Sequence, residues 1–173
     1  MIERIQQGEL DLCGVLYERY KKVLFTYFYN HTKNTAKSED LVQGTFEKII
    51  KYIRNYKGVG SFKSWMFSIG RNIMIDEYKK LQKREEAKLA VTAKQSIVLE
   101  NETIDQYEIL KKCIDRLPRE KKDLIIMTKI KGMKYKEVCE IMNLTESNLK
   151  IKIFRIMNQL RNDVQLLTTK YNS

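Results

Sequence analysis

One histidine, one proline, three cysteines and seven glycines are spread over 173 residues, and each scarcity closes off a class of function. Cys13, Cys113 and Cys139 are odd in number, far apart and never in a CxxC pair, so neither a disulfide framework nor a zinc site is expected. With His31 as the only histidine, placed in a polar stretch, a Ser/His/Asp triad has no sound basis. There is no Walker-type phosphate loop, and Gly58–Val59–Gly60 lacks the spacing of a dinucleotide fingerprint. The clustered carboxylates that metal-assisted cleavage needs are also missing. No catalytic residue, cofactor, metal or small-molecule substrate is therefore expected, and the chain reads as a non-enzyme. It shows neither a signal-like N-terminal apolar run nor a stretch of about 18 apolar residues, which points to a reducing, cytoplasmic location.

What the chain has in excess is positive charge. Lys and Arg number 33 against 22 Asp and Glu, a net +11, and such a surplus suits a polyanion: nucleic acid first, an anionic membrane surface second. Hydrophobic residues make up 43%, enough for a packed core, and the few breakers amid much Lys, Glu, Leu and Ile predict an all-α fold. The charge is divided. Residues 1–84 carry sixteen cations against nine carboxylates, residues 105–173 fifteen against nine, and the weakly patterned 85–104 only two against four. Two basic blocks around a slightly acidic segment predict two small helical domains, 1–84 and 105–173, joined by a linker, 85–104.

In the first block Leu12, Leu16, Tyr20, Leu24 and Tyr27 share a helical face. Asn30–Lys37 reads as a connection, with Ser38 as the N-cap of a second helix carrying Leu41, Phe46, Ile49, Ile50 and Ile53. Asn55–Ser61 is a loop with two glycines. A third helix bears Phe62, Met66, Ile69 and Ile73 and ends in the basic run Lys79, Lys80, Lys83, Arg84. In the second block Tyr107, Leu110, Ile114 and Leu117 form one face. Pro118 opens a helix running to about Ile130, and Gly132 closes it.

The segment YKEVCEIMNLTESNLKIKIFRIMNQLR then has the form of a helix-turn-helix. A short helix buries Val138 and Ile141 or Met142, Asn143–Leu144–Thr145 turns, and a longer helix buries Leu149, Ile153, Ile156 and Leu160. At 100° per residue its opposite face holds Ser147, Ile151, Phe154, Arg155 and Asn158, flanked by Asn148, Lys150 and Lys152. Such a face fits the major groove: Asn pairs with adenine, Arg with guanine, an aliphatic group with the thymine methyl, and Lys with phosphate. An ordinary amphipathic helix with a solvated basic face is the competing explanation.

Around that motif LPREKKDLIIMTKIKGMKYKEVCEIMNLTESNLKIKIFRIMNQLR resembles the sigma-4 domain of extracytoplasmic-function sigma factors. The matching pieces are Leu117–Pro118, Gly132–x–x–Tyr135–x–Glu137–Val138 and Lys150–x–Lys152–x–x–x–Arg155. SEDLVQGTFEKIIKYIRNYKGVGSFKSWMFSIGRNIMIDEYKK similarly resembles their sigma-2 domain, through its acidic-Leu-Val-Gln–x–Thr-Phe stretch, Phe62–x–x–Trp65, Arg71–Asn72 and Asp76. Both blocks stand in the family's order. Gly44 departs from the usual Glu, Ser147–Asn148 from a common Gly–Thr, and Ile151 from a small polar residue.

The resemblance implies a promoter-reading subunit of bacterial RNA polymerase, a sigma-2-like bundle linked to a sigma-4-like helix-turn-helix. Core polymerase would be met through the clamp helices of its largest subunit by Asp40, Leu41, Gln43 and Phe46, and through its flap by sigma-4. Promoter DNA is the second partner, an anti-sigma factor the third, and the holoenzyme would associate with the nucleoid. For the melted −10 strand, which needs aromatic faces and phosphate-binding cations, the residues offered are Tyr56, Lys57, Ser61, Lys63, Arg71, Asn72, Lys79 and Lys80. For the −35 duplex they are Ser147, Asn148, Lys150, Ile151, Lys152 and Arg155. Trp65 reads as packing support. A stand-alone helix-turn-helix regulator, which binds duplex without polymerase, and a helical adaptor for acidic partners are the alternatives.

Overall fold

Residues 1–89 and 105–171 are described by the computed structural model, without the side chains of 84–89 and 171, and all regular structure among them is helical. A short helix the periodicity did not announce, α1 (Ile2–Gln6), buries Ile5. It also sends the Gln6 amide to the carbonyls of Ile53 and Tyr56, at 2.9 and 2.8 Å. The long helix α2 (Leu12–Thr32) buries Leu16, Leu24, Tyr27 and Phe28.

The connection after it is shorter than the polar stretch suggested. Lys33 alone turns left-handed, at φ 50°, and Asn34 caps α3 (Thr35–Tyr52) by accepting the Lys37 amide at 2.9 Å. Ser38, expected as the cap, lies one turn inside the helix, fully buried, with its hydroxyl on the Asn34 carbonyl at 2.6 Å. Asn caps as well as Ser, and it stands where the left-handed residue ends, so the earlier start prevails. Ile50, expected inside, is 47% exposed.

A 3-10 turn (Ile53–Asn55) and the loop 56–61 lead into α4 (Phe62–Leu89), which carries the basic run. At Gly70 α4 packs tightly on its neighbours: a Cβ there would lie 2.9 Å from the Phe28 ring and 3.1 Å from Thr45 Oγ1. The expected linker 85–104 lies outside the described residues from 90 onward; its first five residues continue α4.

The second group comprises α5 (Gln106–Asp115), α6 (Arg119–Ile125) running into a π-helical turn (Ile126–Ile130), α7 (Tyr135–Met142) and α8 (Glu146–Tyr171). Pro118 immediately precedes α6, and Gly132 takes φ +58° after the π turn. The register of α5 differs from expectation. Ile109, Cys113 and Leu117 are buried, while Tyr107 is 69% and Leu110 39% exposed. Two apolar faces lie side by side on this helix. The one turned to α8 is buried, and Tyr107, Leu110 and Ile114 instead line a surface groove with Tyr29, Ile126 and Ile130.

The two helical groups also meet. α7 packs on α4, and the π turn reaches α2. At the centre is Asp123 of α6, fully buried, although a buried carboxylate is costly unless it is paired.

Candidate nucleic-acid interface

The helix-turn-helix is built by local rules that the sequence displays. α7 buries Val138 and Ile141; Asn143 takes the left-handed conformation at φ 51°, which Asn tolerates and most residues do not. Thr145 then caps α8, its Oγ1 accepting the Asn148 amide at 3.3 Å. Leu149, Ile153, Ile156 and Leu160 are 0–4% exposed, so α8 is clamped along one face. The other face is open. Ser147, Asn148, Lys150 and Arg155 are exposed, Lys152 and Asn158 partly so, and Ile151 and Phe154 stand out at 50% and 66%. Lys152 reaches Glu120 at 2.9 Å and Lys150 lies 3.6 Å from Glu146. Surface pairs of this kind are weak and exchange readily for phosphate.

The residues expected to capture a melted strand fall into two sets. Tyr56, Phe62 and Trp65 form an aromatic cluster with ring centroids 5.1–5.7 Å apart, Trp65 half-buried in support, and the Tyr56 hydroxyl closes the loop on the Gly60 carbonyl at 3.3 Å. Lys57, Asn72, Lys79 and Lys80 are exposed, Lys80 in a short-range pair with Glu77. The other set is engaged by the second group of helices. The Ser61 amide donates to Glu140 at 3.3 Å, Lys63 to Glu137 at 3.2 Å, and Arg71 Nε to Asp123 Oδ2 at 2.9 Å.

Asp123 gathers further partners across the same boundary. The Tyr27 hydroxyl donates to its Oδ1 at 2.7 Å. His31 Nε2 lies 3.0 Å away without full hydrogen-bond geometry, an electrostatic contact between two side chains almost without exposure. Burial alone would raise the Asp123 pKa; His31, the Tyr27 hydroxyl and the Arg71 guanidinium outweigh it and hold the carboxyl below the usual aspartate range. Tyr27 is driven well above the ordinary tyrosine value, by burial first and the Asp123 charge second. The Ser64 hydroxyl and the Ser61 amide likewise hold Glu140 below the usual glutamate range. Arg119 stacks its guanidinium 4.1 Å from the Tyr78 ring, whose hydroxyl donates to the His31 carbonyl at 3.1 Å. Lys33 and Asp115 add an outer ion pair at 3.4 Å.

Periodicity missed this cluster. Tyr27 looked like one more apolar stripe residue and His31 like part of a polar connection, whereas α2 runs through it and buries it. The available signal was Asp123 itself, a carboxylate directly ahead of the apolar run Leu124–Met127.

On the surface expected to meet polymerase, Asp40 and Gln43 are exposed, and Gln43 bonds Glu47 at 3.0 Å. Leu41 and Phe46 are not on that surface. They are 7% and 5% exposed, with Phe46 meeting the Tyr17 ring edge-on at 4.9 Å, so they shape the face from beneath. Among the described residues no helix is long and apolar enough to cross a membrane, and no group of three His, Cys, Asp or Glu could hold a metal ion.

Two family models match the chain: Sigma-70 region 2 over residues 16–84 and Sigma-70, region 4 over residues 107–160. The chain is 26% identical over 149 residues to the ECF RNA polymerase sigma factor SigM of Bacillus subtilis, a match covering 84% of this chain and 91% of that protein. It is also 26% identical over 183 residues to the ECF RNA polymerase sigma-E factor of Haemophilus influenzae, covering 96% and 95%. Its fold resembles that of CnrH, solved in complex with the cytosolic domain of CnrY (TM-score 0.68, 19% identity, 98% of this chain and 95% of that one). It also resembles the sigma factor RpoE solved with the anti-sigma factor NepR from Bartonella quintana (TM-score 0.66, 20% identity, 92% and 96%).

Proposed function

Because this chain belongs to the sigma-70 family, as an extracytoplasmic-function sigma factor that directs RNA polymerase to promoters, we propose a division of that task among its residues. The outer face of α8, with Ser147, Asn148, Lys150, Ile151, Lys152 and Arg155, reads the −35 duplex in the major groove. The loop 56–61 and α4, with Tyr56, Lys57, Ser61, Lys63, Arg71, Asn72, Lys79 and Lys80, take the non-template strand of the −10 element. Asp40 and Gln43 on α3 dock on the clamp helices of the largest polymerase subunit, with Leu41 and Phe46 shaping that face from beneath, and the α5–α8 group lies against the flap. The domains under this reading are 1–84 and 105–173, and the factor has no catalytic activity of its own.

One observation carries the −35 assignment. A helix clamped by four buried aliphatics turns an unbroken row of amide, hydroxyl, cationic and methyl-seeking groups outward, at the position where a helix-turn-helix enters the major groove. A stand-alone regulator is the poorer reading, because it leaves the loop 56–61 and the basic face of α4 without a task. The solved structures of similar fold include a sigma factor held by an anti-sigma factor and CnrH held by the cytosolic domain of CnrY, and a restraining partner is proposed here too. The location proposed is cytoplasmic, nucleoid-associated in the holoenzyme.

The test is run-off transcription on genomic fragments with purified chain and core polymerase. Initiation at a defined set of promoters is expected only with both present. If tight, sequence-specific duplex binding by the chain alone occurred with no initiation at any fragment, the regulator reading would replace this one.

A further inference from the structure

Three of the eight residues assigned to the melted strand are held by the other half of the chain, each by a carboxylate. Glu140 receives the Ser61 amide, Glu137 receives Lys63, and Asp123 receives Arg71. A carboxylate and a phosphate ask for the same donors, so these three oxygens stand where strand oxygens would bind. The fit is specific. Gly60 takes φ +75°, which brings the loop backbone so close to Glu140 that a Cβ there would lie 2.8 Å from its Oε2. Glu137 is fixed in turn, its Oε2 also accepting the Lys134 amide at 3.1 Å.

We propose that the acidic edge of α7, Glu137 and Glu140, is an internal substitute for single-stranded DNA that covers the strand-capture surface of the free protein. The Asp123 cluster holds it there. Closure and strand capture are then mutually exclusive, whereas the outer face of α8 stays open in the closed form. The duplex element can therefore be read while the strand-binding surface is still covered. The ligand chemistry excluded is that of an unpaired strand, with its backbone anion and splayed base, and the inference rests on the strand-capture reading of loop 56–61 and α4.

The probe is a fluorescein-labelled single-stranded 12-mer of randomised A/T-rich sequence, titrated by anisotropy into the full-length chain without polymerase. If the closed form dominates, its fraction lowers the apparent affinity, so Glu137→Gln/Glu140→Gln is expected to bind about tenfold tighter than the parent. Glu18→Gln/Glu108→Gln removes the same charge at exposed positions away from the contact and is expected to change binding far less. In parallel, carbodiimide coupling of the unaltered chain is expected to join Lys63 to Glu137, and the crosslink should vanish on saturation with the 12-mer but not with an equal amount of duplex. Equal tightening in the two double variants, no Lys63–Glu137 crosslink in the free chain, or a crosslink that survives saturation would each overturn the proposal. No strand binding by any variant, even with core polymerase added, would instead sink the strand-capture reading and this inference with it.

Discussion

At the scale of single residues two of the helical glycines, Gly44 and Gly70, make opposite demands. Gly44 has nothing within 4 Å of where a Cβ would sit, so it costs α3 its helix propensity with no packing return. Gly44→Ala is expected to stabilise the protein by about 1 kcal/mol in urea unfolding. Gly70→Ala, crowding Phe28 and Thr45, is expected to lower stability by about 1–3 kcal/mol in the same measurement. Ile151 and Phe154 carry a different prediction. Two exposed apolar side chains one turn apart on a cationic face suit thymine methyl groups. Replacing a contacted thymine of the −35 element by uracil is expected to weaken holoenzyme binding roughly fivefold, the worth of about one methyl. That loss should disappear in Ile151→Ser/Phe154→Ser, measured by competitive gel shift; an unchanged thymine preference in the variant would remove both residues from base reading.

At the scale of elements the reading from the sequence succeeded where one face had one task. The α8 stripe, its Thr145 cap and the Asn143 turn all follow from adjacent residues, and all stand as expected. It failed where an element answers to two neighbours. The inward face of α5 is displaced by about one residue because α8 takes one apolar stripe and leaves the other facing the groove beside Tyr29. Leu41 and Phe46 match the family motif yet serve the core, since a motif records which residues recur and not which way they point. The Asp123 cluster was illegible for a third reason: its four members come from α2, α4 and α6, and no local pattern links positions 27, 31, 71 and 123. The α8 element makes its own prediction. Thr145→Ala removes the acceptor of the Asn148 amide and is expected to cost about 1 kcal/mol of stability. Lys152→Ala/Arg155→Ala is expected to weaken −35-dependent initiation by about 1–3 kcal/mol per lost base contact while leaving core-polymerase affinity unchanged, as measured by fluorescence titration with core enzyme. Asp40→Ala/Gln43→Ala should show the reverse pattern.

At the scale of the whole molecule, the ion pairs described across the boundary between the two groups all run one way. Asp115, Asp123, Glu137 and Glu140 come from the second group; Lys33, Tyr27, His31, Arg71, Lys63 and the Ser61 amide come from the first. The Asp123 carboxyl titrates below its ordinary value in this arrangement. Its contribution is therefore complete above the usual aspartate range and lost as pH falls through the depressed folded value. Small-angle scattering down an acid series is expected to show the radius growing only on the acid side of about pH 4, the ordinary aspartate value. Asp123→Ala leaves buried Tyr27 and His31 and half-buried Arg71 unanswered, and is expected to destabilise the closed form by about 3–5 kcal/mol. Gly60 ties this large-scale arrangement to an atom-sized gap. Its missing side chain leaves room for one acid, so a lone methyl there displaces the Glu140 carboxylate from the Ser61 amide and strains a left-handed backbone, without altering a single charge. Changes in how readily this factor engages DNA can then arise from a position that offers no side chain of its own.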